Sequence, residues 1–273
     1  DTLRNSVKAS KKIGVESLGM MPKILLNPGA VNLAFVKERL MGIIVQNVLQ
    51  HFRKEGKEGK TKVITVFSTQ KLEGKTVIAG NMARTLKAEG NSVLYLNYKE
   101  KKRPLKQRSR SSIINKIFGY PDTRIDLENS FLAPVETYLQ ASEHYSYALD
   151  NTFYNAKDYT NILVAEGRQA HRAPDFVIIE LPAIIHHKYP TDLIANADLA
   201  MMVCRSNRVW SDADEAAIKN FKDTMASNMG IVVNGVQINE TEAVLGDLPK
   251  SRNKFRKKLK AAFRFQFLSK NQI

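Results

Sequence analysis

A glycine, a lysine and a threonine stand between a predicted strand and a predicted helix. The apolar run at residues 63–67 is typical of a buried strand, and a polar loop separates it from Gly74-Lys75-Thr76. The helix is indicated by apolar residues at helical spacing: Val77, Ile78, Met82, Ala83 and Leu86. This is the pattern of a phosphate-binding loop, in which backbone N–H groups and the positive end of a helix surround an anion. In that pattern Lys75 neutralises phosphate charge, and the Thr76 hydroxyl can ligate Mg²⁺.

The loop departs from the full pattern at two positions. Thr69 stands where the pattern has its first glycine. Leu72 lies inside the loop, where a Cβ crowds a backbone that must curl around phosphate. The pattern therefore predicts the fold of a phosphate-binding domain and leaves open whether the nucleotide site is intact.

Phosphoryl transfer from ATP also needs carboxylates at neighbouring strand ends, which hold Mg²⁺ together with the loop hydroxyl. The candidates at the strand ends are Asn97, Lys99 and Glu180, of which Glu180 alone is acidic. With Lys71, Lys75 and Lys99 opposite one carboxylate, the site attracts phosphate but is poor at holding Mg²⁺. Without nucleotide and metal, we expect the Lys75 ammonium to lie within ion-pair reach of Glu180.

The other residue types that could do chemistry form no such pattern. The five histidines have no metal-ligand spacing with cysteine or acidic residues. No nucleophile elbow or dinucleotide-binding fingerprint is present. Cys204 falls in an apolar run, which predicts a buried thiol in the core. A single cysteine excludes a disulfide framework and fits a reducing cytoplasm.

The elements around the loop predict an α/β fold. An amphipathic helix is indicated at residues 31–53 and another helix at 210–225. Besides the strand before the loop, strands are predicted at residues 92–96, 175–182, 198–204 and 229–234. This order predicts a mainly parallel sheet with helices on both faces, as in P-loop NTPases. The tyrosine-rich region at 120–170 is predicted to be mostly helical, with its aromatic side chains used in packing.

Composition divides the chain into three parts. Residues 1–30 form an opening segment and linker, 31–250 the domain, and 251–273 a tail of alternating basic and apolar residues. The tail fits either an amphipathic helix on a membrane surface or partner, or a frayed terminus. The net charge of +15 is concentrated at residues 99–110 and 250–264, which are either solvated segments or a surface for anionic partners.

Membrane segments are not visible in the sequence. No apolar run has the length that crosses a bilayer, and no signal peptide is present. Because the sequence opens with Asp1 rather than methionine, we expect a soluble piece of a longer protein, in which membrane segments could lie upstream.

Together these motifs resemble the cytoplasmic domain of bacterial tyrosine kinases (BY-kinases), which belong to the polysaccharide co-polymerases. Residues 13–22 look like the family's opening segment, 68–76 like its Walker A loop, 93–99 like its second Walker motif and 176–182 like Walker B. The resemblance implies the deviant Walker subgroup of P-loop NTPases. It also implies ATP and Mg²⁺ as cofactors, with Asn234 near the adenine and with Thr76 and Glu180 at the metal. The nucleotide contacts implied are Thr69, Gly74, Lys75, Thr76, Asn97 and Asn234.

The chain departs from this family in its catalytic motifs. Asn97 and Lys99 replace two aspartates, and Glu180 replaces a third. Leu72 departs from the family's Pro-Gly-x-Gly-Lys pattern, although a small residue such as Thr69 is common in place of the first glycine.

The chain also departs from the family in its substrate tail and ring contacts. Family members phosphorylate tyrosines at the end of the chain, but here no tyrosine follows Tyr189. Members form rings through a Glu-x-x-Arg-x-x-Arg helix. In the corresponding helix Glu38 is present, whereas Met41 and Ile44 replace the arginines.

These departures predict a catalytically degenerate BY-kinase-like domain, a pseudokinase serving capsular or exopolysaccharide biosynthesis, chain-length control or export. The resemblance places it on the cytoplasmic side of the bacterial inner membrane. Its partners would be membrane-embedded polymerase or export machinery, with acidic lipid reached through the basic segments. One alternative is an active tyrosine kinase or ATPase with Lys75 and Glu180 in catalysis and Glu180 and Asp192 at the metal. Another is a nucleic-acid-binding relative of the partitioning ATPases, although no base-stacking or groove-reading motif is visible.

Overall fold

Seven parallel strands and the helices between them make up the described part of the chain, in a computed structural model. The model describes residues 3, 5–23, 32–56, 59–98, 135, 138–168, 173–225 and 228–246. The strands are β1 (Glu16–Pro22), β2 (Lys62–Phe67), β3 (Val93–Tyr98), β4 (His144–Tyr147), β5 (Phe176–Glu180), β6 (Leu199–Arg205) and β7 (Asn228–Val236). The helices are α1 (Ser6–Ile13), α2 (Leu33–Lys54), α3 (Lys75–Ala88), α4 (Asn151–Tyr154), α5 (Tyr159–Ala165), α6 (Thr191–Asn196), α7 (Asp212–Thr224) and α8 (Ile238–Leu245).

The sheet confirms the predicted fold class. Its strand order is β1-β7-β6-β2-β5-β3-β4, and every pairing is parallel. Parallel neighbours cannot be joined by tight hairpins, so longer crossover connections, several of them helical, link the strands. The strand that precedes the Gly74-Lys75-Thr76 loop, β2, lies between β5 and β6 near the middle of the sheet.

The core is built from strands that are buried along nearly their whole length. All five residues of β5 are buried, and in β6 every residue except Arg205 is buried. Continuous apolar runs suit parallel strands that are covered on both faces. The thiol of Cys204 is buried in β6 as predicted, and its burial raises its pKa. The sheet thus forms a rigid base whose strand ends carry the polar residues.

Two strands differ from the sequence prediction. Residues 16–22, assigned to the opening segment, form β1 and pair with β7 at one edge of the sheet. Residues 144–147, predicted to lie in a mostly helical region, form β4 and pair with β3 at the other edge. The helical prediction was therefore wrong at β4, although α4 and α5 lie in the same region. A short strand with polar side chains, such as His144-Tyr145-Ser146-Tyr147, gives too brief an alternation to be distinguished from a helix.

Several predicted features lie outside the described residues. These are the two basic clusters, the tail, Lys99, residues 120–134 of the tyrosine-rich region and most of the linker. The division into opening segment, domain and tail therefore stays a prediction. Within the part of the chain that the structure describes, no helix is both long enough and apolar enough to cross a membrane.

Candidate functional site

The loop at residues 68–74 joins β2 to α3 and forms the centre of the site. α3 begins at Lys75, and the residue before it, Gly74, has φ 95° and no side chain to cap the helix. The first N–H groups of α3 are thus not capped by a side chain, and they carry the positive end of the helix dipole. This is the backbone arrangement that binds phosphate.

Gly74 is required by a close approach from β7. A Cβ at residue 74 would lie 2.1 Å from Nδ2 of Asn234. The same Nδ2 donates a hydrogen bond to the Glu73 carbonyl oxygen at 2.9 Å. Asn234 therefore supports the loop from the strand below it, and a role near adenine stays a prediction.

Leu72 has an unusual backbone conformation. With φ 62° it is the one non-glycine residue at positive φ in the described ranges, and its side chain is 88% exposed. A left-handed conformation costs an L-residue with a Cβ roughly 1–2 kcal/mol. The crowding predicted for Leu72 is resolved by turning its side chain to solvent, while the backbone keeps a conformation that suits glycine.

Lys75 is buried inside the loop, with 5% of its surface exposed. Its Nζ donates a hydrogen bond to Oγ of Ser68 at 3.0 Å, and that hydroxyl donates to the carbonyl oxygen of Gln70 at 2.5 Å. The ammonium group thus lies beneath the curled backbone, where phosphate charge would be neutralised. The expected ion pair between Lys75 and Glu180 stays a prediction.

The structure brings together Thr76 and Glu180, the two residues predicted at the metal. Oγ1 of Thr76 donates to Oε1 of Glu180 at 2.7 Å. The hydroxyl of Tyr95 donates to Oε2 of Glu180, also at 2.7 Å. The hydroxyl of Tyr147 donates to the backbone carbonyl of Glu180 at 2.6 Å. Glu180 is 2% exposed, so its two carboxylate oxygens are held by hydroxyl groups in a dry environment.

Asn97 contacts a different part of the sheet. Its Oδ1 accepts a hydrogen bond from Oγ of Ser146 at 2.6 Å and lies 3.2 Å from Nε2 of His144. Asn97 is thus engaged with β4. Asp192, the second acid of the active-kinase alternative, is exposed in the first turn of α6.

A buried ionic network under the loop was not predicted from the sequence. Nε of Arg208 lies 2.7 Å from Oε1 of Glu73, and Nη1 donates to Oδ2 of Asp214 at 2.7 Å. Nη2 donates to Oγ1 of Thr69 at 2.9 Å. The backbone N–H of Arg205 donates to the other carboxylate oxygen of Glu73. The network ties the phosphate loop to the end of β6 and the start of α7. No local pattern marks it, because its members are far apart in sequence.

The charges of this network depend on one another. Burial raises the pKa of Glu73, although the Arg208 guanidinium opposes this in part. Burial also acts against the ionised form of Asp214, but hydrogen bonds from Arg208, Thr69 and Ser211 outweigh it and lower the pKa of Asp214 to about 2. One guanidinium thus neutralises two buried carboxylates.

The residues present do not fit a Mg²⁺ ion held as phosphoryl transfer requires. Glu180 offers a single carboxylate, and Thr76 and Tyr95 each draw on its charge through a hydrogen bond. Asn97 carries no charge and accepts a hydrogen bond from Ser146 of β4. Within the described ranges, no group of three or more His, Cys, Asp or Glu side chains could hold a metal ion. A hard cation beside phosphates needs carboxylate oxygens that can face it.

Comparison with known proteins supports the fold and goes no further. No protein-family model and no curated protein matches the chain. The chimerical protein CapA2B2 superposes with a TM-score of 0.52 over 85% of this chain and 99% of that chain, at 13% identity. The chain shares the fold of that protein, a parallel sheet with helices between its strands.

Two further solved structures superpose less well, with TM-scores below 0.5. The kinase domain of the Escherichia coli tyrosine kinase ETK has a TM-score of 0.49 at 11% identity, covering 84% of this chain and 93% of that chain. The BceF tyrosine kinase domain has a TM-score of 0.48 at 12% identity, covering 86% of this chain and 100% of that chain. At such identities the likeness concerns the fold alone.

Proposed function

We propose that this chain is a catalytically inactive BY-kinase-like domain that serves as an architectural part of capsular or exopolysaccharide assembly, chain-length control or export. It stands on the cytoplasmic side of the bacterial inner membrane, within a longer membrane protein. Its basic segments face acidic lipid, and its domain contacts membrane-embedded polymerase or export machinery. The fold and the resemblance of the Walker-like motifs support this assignment.

One observation carries the inactivity. Glu180, the acid at the end of β5, accepts a hydrogen bond from Thr76 on one carboxylate oxygen and from Tyr95 on the other. Kinases that use Mg²⁺ rely on carboxylates at this position to hold the ion that neutralises charge in the transition state. A cradle without that ion can position phosphate but lacks the main source of transition-state stabilisation.

Calorimetry and a labelling assay test the proposal together. The chain is titrated with ATP in the presence of Mg²⁺ and is then incubated with γ-labelled ATP. We expect no incorporation of label into tyrosine and no gain in affinity from Mg²⁺. Tight Mg²⁺-dependent binding together with phosphotyrosine on the protein would overturn the proposal.

The active kinase remains the second candidate because the loop itself is well formed. Lys75 is buried under the backbone, and α3 begins without a side-chain cap. If this candidate is right, Lys75→Met abolishes ATP turnover that the wild type shows. Arg84→Met is a matched control, because Arg84 lies on α3 and contacts the ring of Tyr138 instead.

A further inference from the structure

Two buried tyrosines on neighbouring strands donate hydrogen bonds to the same residue. Tyr95 of β3 and Tyr147 of β4 are 0% and 2% exposed, and both hydroxyl groups donate to Glu180 of β5. They differ in the atom they reach, since Tyr95 bonds the carboxylate and Tyr147 bonds the backbone carbonyl. The sequence prediction assigned Tyr147, with the other tyrosines of residues 120–170, to packing and gave Tyr95 no role, so this part of the site was not predicted.

The Tyr95 hydroxyl is a permanent donor to the carboxylate. Burial, followed by the negative charge of Glu180, raises the pKa of Tyr95 well above its ordinary value. Tyr95 therefore keeps its proton throughout the physiological pH range and stays neutral. A hydrogen bond to an ionised acceptor is short and strong, and it uses part of the negative charge that would attract a cation.

The other carboxylate oxygen is engaged from the loop side. Oγ1 of Thr76 donates to Oε1 of Glu180, so each carboxylate oxygen accepts one hydrogen bond from a hydroxyl group. The Glu180 residue is 2% exposed. A divalent ion would have to compete with these donors for the negative charge of one carboxylate in a dry environment. Lys75, 5% exposed and bonded to Ser68 of the same loop, already supplies positive charge at the cradle.

We propose that Tyr95 closes the carboxylate of Glu180 to metal, so that the loop receives the phosphates of a nucleoside di- or triphosphate with Lys75 as counter-charge and without a divalent cation. This inference rests on the proposed function, because it explains how the same loop can bind phosphate without catalysing phosphoryl transfer. It adds a residue that controls the metal dependence of the site. Tyr95 is a positioning residue, since it acts through Glu180.

The test compares Tyr95→Phe with Tyr147→Phe, each of which removes one buried hydroxyl that bonds Glu180. Binding of ADP and ATP is measured by calorimetry in Mg²⁺ and in EDTA, and bound Mn²⁺ is counted by electron paramagnetic resonance. For the wild type we expect the two Kd values to agree within about twofold. For Tyr95→Phe we expect the affinity in Mg²⁺ to rise by about tenfold, the size expected when one hydrogen bond to a charged group no longer competes with the ion. Tyr147→Phe should keep the wild-type ratio.

A second variant covers the case in which Tyr95→Phe does not fold. Glu180→Gln removes the negative charge and keeps the shape of the side chain. If the cradle binds phosphate without metal, the affinity of this variant for ADP in EDTA is equal to or higher than that of the wild type. A lower affinity in Mg²⁺ alone would show that Glu180 holds the metal, and the inference would be wrong.

The outcomes separate this inference from the proposed function. Wild-type binding that needs Mg²⁺ and leads to phosphotyrosine overturns both. Wild-type protein that binds neither ADP, ATP nor pyrophosphate in EDTA overturns the inference and leaves the architectural role standing. Equal metal dependence in Tyr95→Phe and Tyr147→Phe removes the assignment to Tyr95 and leaves the inactive domain intact.

Discussion

At the scale of single residues, the loop at residues 68–74 contains a leucine in a left-handed conformation and is bonded to a partly buried arginine. Leu72 keeps a left-handed backbone at φ 62° with its side chain in solvent. Arg208 neutralises two buried acids, Glu73 on the loop and Asp214 on α7. Buried charges of this kind are costly when one partner is removed, because the remaining charge is left in a dry site. The loop is therefore fixed from inside the protein.

Leu72→Gly should stabilise the protein, because glycine adopts positive φ without the Cβ penalty. We expect the free energy of unfolding to rise by about 0.5–1 kcal/mol, after the larger entropy of glycine in the unfolded chain is subtracted. Leu72→Ala is the control, since it keeps the Cβ and removes only exposed apolar atoms. Denaturant unfolding of both variants gives the comparison. A loss of stability in Leu72→Gly would mean that the leucine side chain makes a stabilising contact.

Asp214 should make stability depend on acidity in a defined direction. Its folded-state pKa of about 2 lies below its ordinary value of 3.8. The group therefore stabilises the fold by about 2 kcal/mol above roughly pH 5, and the contribution is lost as pH falls through the folded-state value. Glu73 has a raised pKa and contributes with the opposite sign, so the wild type is compared with Asp214→Asn, which retains Glu73. The charge of Asp214 is the smallest cause of the raised pKa of Glu73, so most of the Glu73 contribution cancels in this comparison.

The measurement is urea unfolding of both proteins at several pH values. The stability difference between wild type and Asp214→Asn should be largest at neutral pH, and roughly half of the titrating contribution should be gone at pH 3. Asp212→Asn is the control, because Asp212 precedes the buried acid on the same helix and is exposed. A difference that stays constant between pH 7 and pH 3 would assign the effect of Asp214 to packing.

At the scale of elements, the site is made where strand ends meet helix starts. β2 and α3 supply the loop, β5 supplies the acid, and β3 with β4 supplies the two tyrosines. The N-terminus of α7 carries Asp214, which also bonds Ser211 in a capping box. β7 supplies Asn234, which supports the loop from below. Small changes in the loop should therefore be resisted by several elements at once.

Gly74→Ala tests how tightly β7 supports the loop. The added Cβ would clash with Asn234, and the alanine would have to adopt φ 95°, which is strained for a residue with a Cβ. We therefore expect a loss of about 3 kcal/mol in stability. Gly90→Ala is a matched control, because Gly90 has φ 89° and no atom within 4 Å of its added Cβ. Its expected cost is only the backbone strain of about 1–2 kcal/mol.

Asn234→Ala combined with Gly74→Ala should recover part of the loss. The double variant removes the clash but keeps the backbone strain, so its cost should be less than the sum of the two single costs. Thermal and urea unfolding measure all four proteins. Additive costs would mean that the loop shifts away from β7 when the methyl group is added.

The elements also show what sequence could and could not predict. β5 was predicted because its residues are continuously apolar, and α3 because its apolar residues recur behind Gly-Lys-Thr. β1 was missed because Gly19 and Pro22 interrupt its alternation, and β4 because four residues are too short for a period to show. The loop and Glu180 were predicted from local pattern. Tyr95 and Arg208 act through contacts across the sheet, and no spacing in the sequence marks such contacts.

At the scale of the whole molecule, the chain combines a parallel α/β fold with a strong positive charge. The net charge is +15, and the lysines and arginines that account for most of it cluster at residues 99–110 and 250–264. Such clustered positive charge favours association with anionic partners. The attraction weakens as salt is added, because salt screens the charges. If the proposed location is right, this charge faces acidic lipid at the membrane.

The full chain should therefore bind vesicles that contain anionic lipid and should bind zwitterionic vesicles much less. Raising the ionic strength from about 0.05 M to 0.5 M should release most of the protein, because the Debye length shortens and salt screens the attraction between the basic residues and the lipid.

Two variants identify the segment that contacts the lipid. If the tail is the contact, a chain without residues 251–273 should lose most of the binding. If the cluster at 99–110 is the contact, a chain with its basic residues replaced by glutamine should lose most of the binding. Binding that is equal on both kinds of vesicle would point to the aromatic residues of the tail rather than to charge.

A comparison with duplex DNA tests the partitioning-type alternative. Tighter binding to duplex DNA than to anionic vesicles at the same ionic strength would favour that alternative, because the same basic residues would then bind the phosphates of a nucleic acid.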